Sequence, residues 1–360
     1  MIYCKNKKEL KSIQMLRALA AISIIYYHIV SMDTEKLNPI VGSFGVDIFF
    51  IISGFVMAMV VSNGETPILF AINRISRIIP IYWILTTCLL FLAIVKPDLL
   101  NSTTSNIYNY LKSIFFIPYF KENGTLHPML AVGWTLNYEV LFYTSIWASL
   151  VINRGYFMQL TCLIIIALFS LSIAYNHNSV VAAFFGNTLL FEFIMGFLVY
   201  IIYSMIKDDI YYAHILFSLS ISVLAFMIYY ENTGYYMERL LAFGVPSFFF
   251  VLFFISSETL FMAANKNTIN LFTRIGDASY ATYLSHYYVV ESIRKILYLK
   301  YNLINPYSII GIIFIITTAL IVGHFIYIYI DKPFSKYFKR KLNKYILTKF
   351  ETKALIKGID

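Results

Sequence analysis

Apolar residues along this chain gather in runs near 20 long, broken by short polar or basic stretches. A helix of that length crosses the roughly 30 Å of hydrocarbon in a bilayer. Ten runs have this character, at about 12–32, 40–61, 79–95, 130–152, 156–175, 181–205, 211–230, 239–257, 275–298 and 306–330. Lipid offers the backbone no hydrogen-bond partners, so runs of this kind predict helices. The pattern predicts an all-α, polytopic membrane helical bundle of about ten transmembrane helices. The expected division is an integral membrane domain over 1–335 and a basic cytoplasmic tail over 336–360.

Composition sharpens the class. Hydrophobic residues make up 59% and charged residues 13%, where soluble domains carry about 25% charge; mean hydropathy is +0.72. A net charge of +9 raises the question of nucleic acid, but the charges sit elsewhere. Nine of the 28 Lys and Arg lie between Lys332 and Lys357, and four between Lys5 and Lys11. These flank the last and first runs, as the positive-inside rule expects of cytoplasmic termini. The expected location is therefore the cell (inner or plasma) membrane, multi-pass, with both termini cytoplasmic and no nucleic-acid partner. The inner loops then carry NRISR (73–77), NRG (153–155), KDD (207–209) and NKNTINLFTR (265–274), and the longest outer loop is 96–129. A loop of that length is either functional or a partly ordered lid. Cys4, Cys88 and Cys162 make no disulfide framework and read as free thiols. The first run lacks a cleavage site and reads as a signal anchor. The tail alternates basic and apolar residues, fitting either a helix on an anionic inner leaflet or an ordinary stop-transfer flank.

Ionisable residues within such runs are costly, which makes each a functional hypothesis. In RALAAISIIYYH (17–28), eleven helical steps leave Arg17 and His28 about 20° from eclipsed and about 16 Å apart along the axis. They share a face, with small Ala18, Ala20 and Ala21 between them. In GSFGVDIFFIISGFV (42–56), Asp47 lies near the outer end of the second run. A short connection predicts an antiparallel hairpin in which Asp47 can meet and orient His28, while taken alone Asp47 reads equally as a helix-entry residue. Ser53–Gly54 marks either a close helix approach or a local distortion. Arg74 and Arg77, three apart, share a face at the cytoplasmic edge, where they either snorkel or clamp a phosphate. Glu139 falls near mid-membrane with Tyr138, Phe142 and Tyr143 around it. His286 falls near the middle of the ninth run, beside Tyr280 and Tyr283. His324 reads as a packing residue, and His127, His177 and His214 as loop or interface residues.

Several of these stretches together resemble the acyltransferase 3 family of bacterial integral membrane proteins. LRALAAISIIYYH is similar to its Arg-x10-His first helix, and GVDIFFIISGFV to its Gly-Val-Asp-Phe-Phe-x-x-Ser-Gly-Phe segment. FAINRISRIIPIYW resembles its Arg-x-x-Arg segment, GWTLNYEVLFY its Trp-Ser-Leu-x-x-Glu-x-x-Phe-Tyr, and SYATYLSH its Ser-Tyr-x-x-Tyr-Leu-x-His. DKPFSKYF is similar to its ending, and the resemblance runs in order over about 15–335. Thr135 and Asn137 stand where serines are commoner, and Asp331 where Glu is commoner. The extra span and extracytoplasmic hydrolase-like domain fused to some members of that family are not expected here, so any partner for that task is expected to be a separate chain, or unnecessary.

The resemblance implies transfer of an acyl group, commonly acetyl, from cytoplasmic acyl-CoA to a hydroxyl of an extracytoplasmic or lipid-linked glycan. It implies that Arg17, Arg74 and Arg77 bind the donor, and that His28, Asp47 and Glu139 are catalytic. Trp134, Tyr143, Tyr283 and His286 are the candidate substrate contacts. His28 acts as general base or takes the acyl group itself; both remain open. The donor expected is acetyl-CoA, with no metal. Expected partners are membrane lipid, the glycan acceptor, and either further copies or glycan-assembly proteins. The alternative from another class is a proton-coupled transporter or flippase of a glycan or lipid intermediate, since buried His, Asp and Glu serve transport too.

Overall fold

The computed structural model describes residues 10–32, 42–97, 100, 103–175, 179–206, 215–216, 218–223, 226, 238–263 and 265–357, with side chains to 346. Regular structure among them is helical throughout. Six stretches are long and apolar enough to cross a membrane: Lys11–Val30, Phe44–Ser62, Pro67–Val95, Arg154–Ile173, Val180–Ile206 and Ile309–Ile346. Most of the seventh expected span, 211–230, lies outside the described residues, as do Cys4, His177 and His214.

Helix α1 (Lys11–Val30) has its first free N–H groups capped from a distant part of the chain. Lys11 and Ser12 donate to the two carboxylate oxygens of Glu258, at 3.0 and 2.8 Å. Negative charge there also suits the helix dipole. Antiparallel to it runs α2 (Phe44–Ser62), and the pair meets through Gly45. A Cβ on Gly45 would fall 2.4 Å from the Ala20 carbonyl and 2.5 Å from Ser23 Oγ. Farther along, Gly54 packs on Gly196 of the helix Leu190–Ile206 (labelled α8 below). A Cβ on Gly54 would lie 2.1 Å from the Phe193 carbonyl, and one on Gly196 would lie 2.3 Å from the Ile51 carbonyl. Of the two readings of Ser53–Gly54, close helix approach is the one realised.

Thr66 caps α3 (Pro67–Val95), and Pro67 opens it. The sequence pattern starts a span at 79, but the helix begins three turns earlier. At 29 residues it is about 43 Å long, more than the hydrocarbon needs. The excess carries Arg74 and Arg77 below the apolar part, and Pro80 is accommodated within it.

Residues 103–129 pack against the middle and C-terminal half of α3 through the short helix α4 (Ile107–Ile114). Tyr82 donates to the Ser113 carbonyl at 3.2 Å, Trp83 to the Ile114 carbonyl at 2.9 Å, and Tyr82 stacks on Phe116. Next come α5 (Trp134–Ile152), α6 (Phe157–Ile173), α7 (Val180–Phe185) and α8 (Leu190–Ile206). The sixth expected span is thus two helices. The break falls at Gly186 and Asn187, whose side chain accepts from the Leu189 N–H.

A π turn at Leu240–Gly244 leads into α9 (Val245–Ser256), followed by α10 (Glu258–Met262) and α11 (Lys266–Asp277). Helix α11 lies against α1, where Gly276 touches the backbone of Gln14. The ninth expected span divides at Ala278, and its apolar part becomes α12 (Ser279–Ile293), extended by a π turn at Arg294–Lys300. Helix α13 (Ile309–Ile326) packs on α12 with Gly323 against Thr282. It runs through a π turn at Tyr327–Asp331 into α14 (Lys332–Lys357), so one helix crosses the expected 335/336 boundary.

Candidate active site

Helices α1, α2, α3, α5 and α12 enclose a cavity of about 300 Å³. Its lining includes three cations, Arg17, Arg74 and Arg77, together with the single acid Glu139. Ser53, Tyr143, Tyr280 and Tyr283 complete its polar lining, while Ile13, Phe49, Phe50, Ile52, Val56 and Met57 form the apolar part. Helices α5 and α12 are not among the six stretches long and apolar enough to cross a membrane, and both carry this chemistry. Asn137 and Glu139 on one, and Tyr280, Tyr283 and His286 on the other, replace lipid-compatible side chains.

Each cation is held differently. Arg77 pairs with the fully buried Asp331 at 3.5 Å and lies over the Tyr280 ring at 5.0 Å. Arg74 has no carboxylate partner among the described residues. It stacks on Tyr143 and Phe70 at 5.7 and 5.9 Å, and its buried Nε makes no hydrogen bond. Arg17 donates to Gln14 at 3.3 Å and lies within electrostatic reach of Glu139 and Asp277. The Glu139 carboxylate accepts from Tyr143 Oη at 2.5 Å and from Ser53 Oγ at 3.4 Å, with Ser53 and Tyr143 themselves 3.0 Å apart. The geometry is a fixed carboxylate surrounded by guanidinium groups, which suits an anionic ligand.

His28 does not line the cavity. Tyr283 stands between, its hydroxyl receiving from Thr135 and donating to the Val132 carbonyl, each at 3.0 Å. Behind it lies His286, ring centroids 5.6 Å away, and then His28, 5.0 Å farther. His28 is also flanked by Tyr27 and Tyr287. Of the two ends predicted from α1, the arginine end lines the cavity and the histidine end does not, with Tyr283 and His286 between them. Glu139 belongs to the first, not beside His28. Trp134 sits apart, edge-on to His127 and Tyr138.

Asp47 does not meet His28 as the hairpin reading expected. Gly45 packs on Ala20 to Ile24, which places α2 about 6–12 Å short of His28 along α1. The Asp47 carboxylate is instead bound by Arg239 at 2.6 Å, and Arg239 also donates to the Ser43 carbonyl at 3.2 Å. Glu192 of α8 closes the cluster, fully buried, with neither carboxylate oxygen hydrogen-bonded. Sequence reasoning passed over Glu192 and Arg239. The signal was there: an acid within FEFIMGF and an arginine heading LLAFGVPSFFF.

A family model described as an acyltransferase domain, that of acyltransferase 3, matches residues 10–330. The chain belongs to the acyltransferase 3 family. Among curated relatives, the exopolysaccharide production protein ExoZ of Rhizobium meliloti is 30% identical over 161 residues, 44% of this chain and 50% of ExoZ. The peptidoglycan O-acetyltransferase OatA of Listeria monocytogenes is 29% identical over 158 residues, 40% of this chain and 24% of OatA. The putative peptidoglycan O-acetyltransferase YrhL of Bacillus subtilis is 26% identical over 170 residues, 43% and 26% of the two chains. The chain thus spans half the length of the first relative and about a quarter of the others. No solved structure matches it. As a member of acyltransferase 3 with several apolar helices, it is a multi-pass membrane protein.

Proposed function

We propose that the protein is a membrane O-acyltransferase carrying an acyl group, acetyl first among them, from cytoplasmic acyl-CoA to a hydroxyl of an extracytoplasmic or lipid-linked carbohydrate. The observation that carries the reading is the cavity that gathers Arg17, Arg74 and Arg77 at one end of α1, with His28 farther along the same helix. Relatives named for exopolysaccharide production and peptidoglycan O-acetylation support a glycan acceptor. The topology of the proposal is ten spans in the cell membrane with both termini cytoplasmic, as the basic flanks favour.

In this reading the three arginines grip the phosphates of the donor. A cavity of about 300 Å³ is at the small end for ligand pockets, so the nucleotide stays outside and the pantetheine arm enters. The Arg17–His28 separation of about 16 Å is the length that arm must span. His28 acts as general base. It takes the proton of the acceptor hydroxyl as that oxygen bonds to the thioester carbonyl carbon. The C–S bond breaks, and His28 returns the proton to the leaving sulfur. The Glu139–Tyr143–Ser53 group holds the donor chamber in shape.

Membranes containing the protein should transfer label from radiolabelled acetyl-CoA to a glycan fraction, and His28→Ala should abolish that transfer with insertion intact. Arg74→Ala combined with Arg77→Ala should weaken donor binding at least tenfold. Transfer that persists in His28→Ala removes His28 from the chemistry. Unchanged donor affinity in the double variant returns both arginines to the membrane edge as snorkelling side chains.

A further inference from the structure

A general base needs a partner that fixes which of its nitrogens carries the proton, and the carboxylate expected for that task is engaged elsewhere, Asp47 with Arg239. We propose that His286 is the positioning partner of His28, its Nε2 accepting the His28 N–H so that the other His28 nitrogen faces the acceptor hydroxyl. The proposal rests on the reading of His28 as base given above.

Three observations carry it. The Nδ1 of His286 lies 2.6 Å from the Tyr283 carbonyl oxygen. A carbonyl only accepts, so Nδ1 bears the hydrogen, and in a neutral imidazole Nε2 is then an acceptor. That Nε2 is buried in a fully buried residue and has no hydrogen-bond partner, an arrangement native interiors rarely leave standing. The rings packed against His286 are those of Tyr283 and His28. The Tyr283 hydroxyl is committed to Thr135 and Val132. That leaves His28, whose ring is 5.0 Å from His286 between centroids and tilted by 43°. An N–H···N bond of the usual ~3 Å fits between two imidazole edges at that separation. His28 is the less buried of the two, so its ring is the one with room to turn toward Nε2.

An imidazole partner suits the setting. It sets the tautomer without bringing a second charge into the chamber, where an unpaired carboxylate would be costly. Once His28 has taken the hydroxyl proton, its N–H to His286 becomes charge-assisted and stronger. When His28 passes that proton to the leaving sulfur, both rings return to their neutral state.

Two amides of similar polarity test this. His286→Gln places its amide oxygen near the position of Nε2, and His286→Asn near that of Nδ1. In steady-state assays of the full-length protein with acetyl-CoA, Gln should keep kcat within about tenfold of wild type. Asn should lower kcat by about 10²–10⁴-fold with the acceptor KM unchanged. In ¹⁵N-histidine spectra of the protein in lipid nanodiscs, with the His28 signals assigned by their loss in His28→Ala, Asn should shift the His28 tautomer pattern and Gln should not. The proposal is overturned if Asn turns over like wild type, if the acceptor KM rises while kcat holds, or if the His28 pattern is the same in both variants. An active His28→Ala enzyme would instead overturn the base assignment, and the spectra would still report on the pair.

Discussion

Asp47 and Arg239, 192 positions apart in sequence, are joined by a 2.6 Å ion pair in which the carboxylate is wholly buried and the guanidinium is partly exposed. With Glu192 beside them, one cation serves two buried acids. Removing one partner of a buried pair leaves an uncompensated charge. Arg239→Met should therefore destabilise the protein by about 3 kcal/mol, the low end for buried pairs. The double variant Asp47→Asn with Arg239→Met should recover most of that loss. Thermal unfolding in detergent, run as a double-mutant cycle, measures both.

At the α2–α8 crossing, Gly54 and Gly196 let two backbones touch. A methyl group on Gly54 would meet the Phe193 carbonyl, which cannot move aside as a side chain tip would. Gly54→Ala should cost about 1–3 kcal/mol. Because Ser53 is the next residue and bonds Tyr143 and Glu139, transfer activity should fall as well. Unfolding midpoints and the acetyl-transfer rate of Gly54→Ala check this.

Asp331 holds Arg77 in the lining of the cavity proposed to take the donor. With the arginine side chain one-third exposed, the pair contributes in the range of about 0.2–1 kcal/mol. Asp331→Ala should accordingly raise the KM for acetyl-CoA about two- to fivefold with kcat preserved, whereas Asp331→Glu should stay near wild type. Initial rates against donor concentration separate the two.

In the 103–129 segment, Lys121 is buried, with Nζ 3.4 Å from both Thr103 Oγ1 and the Met129 carbonyl. Burial pulls its ammonium down to about 8 from the ordinary 10.5, against a smaller opposing pull from Glu122. The unfolded segment therefore binds more protons than the folded one between pH 8 and 10.5, and stability rises with pH across that window. Below pH 8 the full penalty of the buried charge is present. Amide exchange corrected for its intrinsic pH dependence should show protection at 103–129 growing from pH 8 to 10, and Lys121→Met should abolish the growth.

The sequence made the helical class and the charged residues of the cavity legible, because charges in apolar runs are few and each has to be housed. Arg17, Arg74, Arg77 and Glu139 were found that way, and they do line one cavity. What stayed hidden was register between helices. Nothing in GVDIFF shows that Gly45 seats α2 against Ala20 rather than nearer His28, so Asp47 was matched to the wrong partner. Helix ends were hidden for a related reason. Apolar runs stop where charge begins, while α3 continues through Arg74 and Arg77 because the Thr66 cap, not the lipid boundary, starts it. Glu192 and Arg239 were legible as costly residues, but only the fold shows that they belong with Asp47.

Tyr283, with its hydroxyl anchored at both Thr135 and Val132, divides a chamber of cations from a pair of imidazoles. In an energised membrane such a partition has an electrical meaning. A continuous polar conduit along α1 would pass protons and ions and short the potential across the bilayer. The Tyr283 ring interrupts such a conduit between the arginines and the imidazoles. In the proposed reaction it is the uncharged thioester end of the donor arm that passes Tyr283 to reach His28, without working against the field.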